Sequence, residues 1–302
     1  MKKFLFTIAA VSAMFVTSCS EAEFDVNDPA NLSKVTIVVE SPEITSRAFG
    51  DGTSANDLYY GIYDAQGTLV SAISKVADDN KEVINLSKVL NVNLVTGNTY
   101  SMIFWADNAE DVCDVDFVNK VVTFNPAKAN LEAYDAFYAY EAPFKVTGDM
   151  QKTIKLYRPF AQVNVGTNDI EAAKAAGLEL VNSQIKVKTY SKMNLVTGAV
   201  SDEVDFTYAF NAIPVGETFP VDGYEYISMN YLLVAADKTN VDIEFSYNNG
   251  GNYVYEFPNV PVQRNYRTNI YGSILTSDVE VNVVIEPAFN EPDNNYPFEG
   301  GL

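Results

Sequence analysis

The clearest strand pattern lies at Val241–Tyr247, VDIEFSY. It is followed by Asn248–Gly251, NNGG, and Tyr253–Phe257, YVYEF. These residues give the strongest indication of the fold class. Apolar residues occupy every second position of VDIEFSY, and polar residues lie between them. This period of two places the apolar residues on one face of an extended strand. The turn rich in Asn and Gly is typical of a β-hairpin. The sequence therefore predicts paired strands with one buried face.

Short apolar stretches of the same kind recur along the chain. Turn residues separate them, as at Ser41-Pro42, where proline lacks the amide that a strand needs. Strands are predicted at Leu32–Glu40, on both sides of an Asp64–Gly67 turn within 58–74, at Thr99–Ala106, Val118–Phe124, Phe137–Tyr140, Lys152–Tyr157 and Phe160–Val165, around a Thr197-Gly198 turn, and at Val279–Glu286. Strands of this length and spacing predict β-sandwiches.

One short helix interrupts the strands. Thr167–Gly177 is predicted to be helical, with Asn168 as its N-cap, Glu171 completing a capping box and Gly177 ending the helix. A helical turn is also predicted within Asn125–Ala133. The strand pattern restarts at Arg158-Pro159, which predicts two domains, 32–158 and 159–302.

The first residues predict export as a lipoprotein. Lys2 and Lys3 precede an apolar stretch, Phe4–Val16, that is too short to span a bilayer. It ends in the sequence VTSC, which resembles the lipobox of bacterial lipoproteins; an ordinary signal peptide with a chance cysteine is the alternative. The resemblance implies a signal peptide at 1–18, cleavage between Ser18 and Cys19, and acylation of Cys19. Residues 19–31 would be the lipidated tether, held by its acyl chains in the outer membrane.

Composition excludes several classes of function. The formal charge is −20, and removal of the signal peptide with Lys2 and Lys3 lowers it to −22, so nucleic acid is excluded as a partner. The chain has no histidine, and it carries no phosphate-binding or nucleophile-elbow motif. We therefore predict no enzymatic activity, no cofactor and no metal. With Cys19 acylated, Cys113 has no partner for a disulfide within the chain.

The densest acidic stretch, Asp107–Asp116, follows a buried strand and is interpreted as a solvated turn. A calcium site is the alternative, although the glycine and the terminal glutamate of an EF-hand loop are missing. Cys113 within it is predicted to be a half-buried packing residue.

Arg47-Ala48 lies in a polar loop after the first strand. An arginine in a loop is usually a solvated surface residue. Cutting after Arg47, however, would release the lipid, the tether and the strand Leu32–Glu40 together. The loop is therefore a candidate substrate for an Arg-specific protease.

Several motifs, taken in order, resemble the fimbrillin family of Bacteroidetes, the pilin subunits exported as lipoproteins. They are the lipobox at Cys19, TSRAFG after the first strand, YSMIFWAD, LYRPFAQVNVGTND, NLVTGAVS, and QRNYRTNIYGSILT leading into VEVNVVIEPAF. The resemblance implies an all-β fold of two tandem transthyretin-like β-sandwich domains. It also implies cleavage between Arg47 and Ala48, loss of the first strand, and filling of the vacated groove by a strand from a neighbouring subunit.

The resemblance leaves the role of the chain open. The donor candidate is Val279–Phe289, and only a tail rich in Pro and Asn follows it. A stalk, tip, accessory or anchor subunit of a surface fimbrium is the leading hypothesis, with other pilin subunits and the protease as partners. A surface lipoprotein that binds a glycan or a host protein without polymerising is the alternative.

Overall fold

The structure is a computed structural model that describes residues 31–41, 49–108, 112–214, 216–250, 254–276 and 281–286. Strands dominate, with one short α-helix and three single-turn 3-10 helices in these ranges. This confirms the predicted all-β fold with one short helix. No helix within the described ranges has the length and apolarity needed to cross a membrane.

Two sheets built from the first half of the chain face each other across an apolar core. One sheet has the strand order β4-β1-β9, and the other has β3-β2-β5-β8. The first core contains Val35, Leu58, Leu90 and Phe104 from both sheets. The strands are β1 Leu32–Glu40, β2 Asp57–Tyr63, β3 Glu82–Val83, β4 Ser87–Val95, β5 Thr99–Asp107, β6 Cys113–Asp116, β7 Val121–Phe124, β8 Phe137–Lys145 and β9 Met150–Lys155, with 3-10 turns at Ser71–Ile73 and Glu132–Tyr134.

The second half of the chain forms a second sandwich. One sheet has the order β14-β10-β17-β18, and the other has β16-β15-β11-β7-β6 with β12 and β13 also paired to β11. The second core contains Val163, Ile185, Ile243 and Ile270. The elements are β10 Phe160–Thr167, α1 Ile170–Ala175, β11 Asn182–Asn194, β12 Val200–Thr207, β13 Asn211–Ala212, β14 Glu225–Leu233, β15 Thr239–Tyr247, β16 Val254–Val262, β17 Arg267–Gly272 and β18 Val281–Glu286, with a 3-10 turn at Asn248–Gly250. The predicted pair of tandem sandwiches is therefore confirmed.

A third, aromatic core joins the two sandwiches. It contains Trp105 and Tyr63 from the first half and Phe160, Tyr226 and Tyr231 from the second half. The two halves are also joined by strand pairing, because β7 pairs with the end of β11. The β6–β7 hairpin thus precedes residue 158 in sequence but extends a sheet of the second sandwich. The division into domains at residue 158 stays a prediction.

Two local predictions are wrong for identifiable reasons. The strand predicted after the Asp64–Gly67 turn is replaced by isolated bridges and the Ser71–Ile73 turn. Ser74 explains this, because its hydroxyl donates to the Val70 carbonyl and accepts from the Ile62 amide, competing with a regular ladder. The helical turn predicted within Asn125–Ala133 is confined to Glu132–Tyr134.

The predicted helix exists, but its cap differs. Helix α1 begins after Asp169, not Asn168, and Asp169 makes no side-chain cap. Its carboxylate instead accepts from the amides of Leu275 and Thr276, a tertiary contact that outcompetes local capping. Gly177, with a φ of +88°, follows the end of the helix as predicted.

Candidate functional site: the groove of the first strand

Strand β1 is the middle strand of its sheet. It pairs antiparallel with β4 along its whole length, from Leu32 opposite Val95 to Glu40 opposite Ser87. On its other side it pairs parallel with β9, from Val35 opposite Met150 onward. Both edges of β1 are therefore hydrogen-bonded to neighbouring strands. We call the space that β1 occupies between β4 and β9 the β1 groove.

The inner face of β1 is apolar from Val35 to Val39, and the buried Ser33 at its start forms a hydrogen bond with the Thr96 hydroxyl at 2.6 Å. Val35, Ile37 and Val39 are each completely buried and belong to the first core. Burial of a side chain of this size contributes about 1.5–3 kcal/mol, so the three together contribute on the order of 5–9 kcal/mol. That is comparable with the total stability of a typical domain, about 5–15 kcal/mol. Removal of β1 would therefore leave a sandwich that needs a replacement strand.

Polar contacts on the outer face fix the register of β1. The Thr36 hydroxyl donates to Asn91 Oδ1 at 3.1 Å, on β4. The Lys34 amide donates to Asp149 Oδ1 at 2.8 Å, directly before β9. A one-residue slip would break these contacts and turn the apolar face of β1 away from the core.

The last described strand, β18, is an edge strand of the second sandwich. It pairs antiparallel with β17, from Gly272 opposite Val281 to Arg267 opposite Glu286. Val284 is buried, and Val283 packs against the second core. Since β17 is its only neighbour among the described strands, β18 is held by one ladder rather than two.

A buried polar cluster lies where the chain resumes after the loop that follows β1. The Gly50 amide donates to Glu132 Oε1 at 2.7 Å, and Arg158 Nη2 donates to the Gly50 carbonyl at 2.5 Å. Arg158 also makes a two-point ion pair with Asp135. Neighbouring Phe49 is buried, with its ring edge-on to Tyr226 at a centroid distance of 5.0 Å. We call Phe49, Gly50, Glu132, Asp135 and Arg158 the Gly50 clasp.

Burial governs the electrostatics of the clasp. Desolvation, and then the nearby charge of Asp135, raise the pKa of the Glu132 carboxyl to about 8, against the opposing effects of the Gly50 amide and Arg158. The Tyr231 hydroxyl donates to Glu132 Oε2 at 3.2 Å, and burial raises the pKa of that phenol well above its usual range. Burial also raises the pKa of the Asp135 carboxyl, against the opposing charge and hydrogen bonds of Arg158, with which Asp135 forms the two-point ion pair.

The predicted acidic turn at 107–116 is wrong in part. Cys113–Asp116 form strand β6, and Asp107 ends β5 as a buried carboxylate that accepts from Trp105 Nε1 at 2.8 Å. This bond is local, because Trp105 and Asp107 are two residues apart and lie on the same face of β5. Burial, followed by the charge of Asp107, raises the pKa of the half-buried Cys113 thiol, which disfavours a reactive thiolate. Within the described ranges, no group of three acidic or cysteine side chains is arranged to hold a metal ion.

The sequence matches the model of a family of unknown function, DUF6562, over residues 30–299. The chain belongs to the DUF6562 family. A comparison with curated proteins gave no match for this DUF6562 protein.

Among solved structures, the DUF6562 chain is similar to fimbrial proteins and to a putative polysaccharide binding protein at low sequence identity. For the tip fimbrial protein Mfa3 from Porphyromonas gingivalis, the TM-score is 0.49 at 12% identity, covering 84% of this chain and 99% of the other. For a protein from Bacteroides thetaiotaomicron described as a putative polysaccharide binding protein, the TM-score is 0.49 at 12% identity, covering 83% of this chain and 95% of the other. For the fimbrial anchor protein Mfa2 from Porphyromonas gingivalis, the TM-score is 0.47 at 12% identity, covering 83% of this chain and 96% of the other.

Most site residues predicted from sequence lie outside the part of this DUF6562 protein that the structure describes. These are Ser18 and Cys19 of the lipobox, and Arg47 and Ala48 of the cleavage site. The predicted first strand lies at its predicted bounds, Leu32–Glu40. Its central position in the sheet could not be seen in the sequence, because β4 and β9 are distant partners. The alternation of Leu90, Val92 and Leu94 would have identified β4.

Proposed function

We propose that this chain is a structural subunit of a surface fimbrium, exported as a lipoprotein through acylated Cys19 and assembled by strand exchange. Cleavage after Arg47 would release β1, and a strand from a neighbouring subunit would fill the β1 groove. The proposal rests on the central position of β1, whose loss would leave β4 and β9 with unpaired backbone groups beside an apolar floor.

Contact of this kind would be head-to-tail. Each subunit would accept a strand in its first sandwich and donate one from its C-terminal region, so the contact propagates as a filament. Strand β18 supports the donor role, since it is an edge strand. Its sequence places Val281, Val283 and Ile285 at the same spacing as Val35, Ile37 and Val39 of β1. The sequence resemblance to fimbrillins also supports this role.

The proposed location follows from the same features. The acylated Cys19 would hold the chain in the outer membrane during export, and loss of residues up to Arg47 would release it into a fimbrium on the cell surface. The lipid is then a transport anchor rather than a permanent one. Incorporation of radiolabelled palmitate into wild type but not into Cys19→Ala would test the first step.

The cleavage step is tested with residues 20–302 treated with an Arg-specific protease. We expect a single early cut after Arg47, followed by multimers seen as a ladder on a gel run without boiling or reductant. Arg47→Ala is the control and should remain uncut at this position and monomeric. A cut wild-type chain that stays a well-folded monomer at high concentration would contradict the pilin function.

The alternative function, a surface protein that binds a glycan without polymerising, is favoured by one cleft. It has a volume of about 630 Å³ and lies where the two sandwiches meet. Tyr138, Tyr140 and Tyr157 line it, and Tyr157 is 45% exposed. Arg264 fixes its floor by donating to the Gly198 carbonyl at 2.7 Å. Clefts of this size with aromatic walls and a few polar groups are typical of small-ligand sites.

This second function is tested separately from polymerisation. Wild type and a Tyr140→Ala, Tyr157→Ala double variant would be applied to an array of neutral and acidic oligosaccharides. Binding by wild type, lost in the double variant while Arg47→Ala retains it, would support the glycan-binding function. Equal signals from wild type and the double variant would contradict a site in this cleft.

A further inference from the structure

The residues directly after the proposed cleavage site are held in the body of the protein. Phe49 is 9% exposed and belongs to the third core, not to the first. Both backbone groups of Gly50 are hydrogen-bonded to side chains, the amide to the partly buried Glu132 and the carbonyl to the fully buried Arg158. The chain is therefore fixed at a point two residues after Ala48.

The clasp is itself supported by elements from both halves of the molecule, including the residues after β9, where the Leu156 amide donates to the Glu40 carbonyl of β1 at 2.8 Å. Arg158 is fully buried, follows β9, and lies over the ring of Phe137 at 4.6 Å. Asp135 directly follows the Glu132–Tyr134 turn. Tyr226 and Tyr231, which contact Phe49 and Glu132, belong to β14 of the second sandwich. The clasp thus ties Phe49 and Gly50 to both halves of the molecule.

Strand β1 is held by different interactions. Its inner side chains belong to the first core, and its backbone pairs with β4 and β9. The described chain after β1 ends at Ser41, whose amide donates to the Leu86 carbonyl at 2.7 Å. The inner side chains of β1 thus belong to the first core, whereas Phe49 belongs to the third. The segment proposed to leave and the segment that follows it are therefore packed in separate cores.

We infer that the Gly50 clasp keeps the chain that follows the cleavage site packed against the body of the protein after the cut. Glu132, Asp135 and Arg158 are positioning residues that hold Phe49 and Gly50 in place when β1 leaves. The cut would then empty the β1 groove without loosening β2 or the third core. Breaking both hydrogen bonds of Gly50, one of them donated by the charged and fully buried Arg158, is costly, which is why the clasp can resist this release. The inference rests on the proposed function for the cut itself.

Hydrogen exchange, followed by mass spectrometry of peptic peptides, tests the inference on residues 20–302 before and after treatment with an Arg-specific protease. In the cut wild type, kept at a concentration too low for multimers to form, peptides from β4 and β9 should exchange faster. The peptide from Ala48 to Leu58 should keep the exchange rate that it has in the intact chain. Exchange of that peptide at least about tenfold faster after the cut would overturn the inference.

Two variants test the clasp residues. Glu132→Ala removes the acceptor of the Gly50 amide while it leaves the Arg158–Asp135 pair intact. Asp135→Asn weakens the pair that orients Arg158. In either cut variant, the peptide from Ala48 to Leu58 should exchange about tenfold faster or more. Glu141→Gln is the matched control, because Glu141 is half-buried in an ion pair with Lys152 outside the clasp. Equal protection in both clasp variants and the control would overturn the inference.

The outcome also separates this inference from the proposed function. If Arg47 is not cut, the pilin function fails, and the clasp is tested in the intact chain. There, Glu132→Ala should still raise exchange at Gly50, because the hydrogen bond exists before any cut. If Asp135→Asn does not fold, Glu132→Ala alone decides, since it leaves no unpaired buried charge.

Discussion

Arg158 and Asp135 form a two-point ion pair in which both side chains are fully buried: Nε lies 2.7 Å from Oδ1, and Nη2 lies 2.6 Å from Oδ2. Removing one partner from a buried pair leaves the other charge uncompensated, which is why such losses are large. The pair also orients the guanidinium that donates to the Gly50 carbonyl. It therefore connects the stability of the junction to Gly50.

Asp135→Asn should lower the free energy of unfolding by about 3–5 kcal/mol. Urea unfolding followed by Trp105 fluorescence measures this, because Trp105 lies in the third core. Glu203→Gln is the control: its pair with Lys188 is exposed, and no measurable change is expected. A loss for Asp135→Asn no larger than that of the control would contradict the structural role of the pair.

Stability should fall as pH rises through the range in which the protonation of Glu132 differs between the folded and unfolded states. Its pKa is raised from 4.5 to about 8 in the folded protein, so the folded state binds more protons than the unfolded state within this range. The free energy of unfolding should therefore decrease between about pH 4.5 and 8 and lose this dependence above it.

Glu132→Gln removes this titration and keeps an acceptor for the Gly50 amide. The variant should show a flatter pH profile than wild type, measured by urea unfolding at pH 5, 7 and 9. The difference between variant and wild type should favour the variant most at pH 9. Parallel profiles for the two proteins would show that Glu132 does not titrate in this range.

The sequence predicts many of the strands, but it does not predict which distant residues come into contact. Leu32–Glu40 and the Val241–Tyr247 hairpin are confirmed, because alternation and turn residues are local signals. Strands β14 and β17 are missing from the prediction, since both are buried on both faces and lack alternation. The sequence marks Arg158 only as the predicted domain boundary, because its partners Asp135 and Gly50 are 23 and 108 residues away.

Ile37→Ala should lower the free energy of unfolding by about 2–5 kcal/mol, because Ile37 is fully buried in the middle of β1 and its truncation leaves a cavity. Val89→Ala is the matched control on the neighbouring strand β4, where the side chain is 56% exposed, and should change stability by less than about 1 kcal/mol. Thermal and urea unfolding measure both. Equal effects would show that β1 is not the central strand of the first sandwich.

Gly166→Ala should destabilise the junction between the sandwiches. A Cβ at Gly166 would lie 2.6–2.8 Å from three atoms of the Phe219 ring, which is closer than carbon atoms can approach. Overpacking of this kind costs about 1–3 kcal/mol. Phe219→Leu replaces the ring with a smaller aliphatic side chain, so Gly166→Ala should cost less in that background. Additive losses in a double-mutant cycle would contradict this close contact.

The β1 groove should accept a synthetic strand in one register and reject one without an apolar inner face. After cleavage at Arg47, the peptide LSKVTIVVE, identical to β1, should bind, restore protection of the β4 amides and stop multimers from forming. The same peptide with Ile37→Asp should do neither, because it would bury a carboxylate in the first core.

The peptide VEVNVVIEPAF, from Val279–Phe289, should compete with the β1 peptide if this segment is the donor. Fluorescence anisotropy of a labelled β1 peptide measures both effects. Equal affinity for the Ile37→Asp peptide would show that binding does not occur in the groove, and failure of the C-terminal peptide to compete would exclude that segment as the donor.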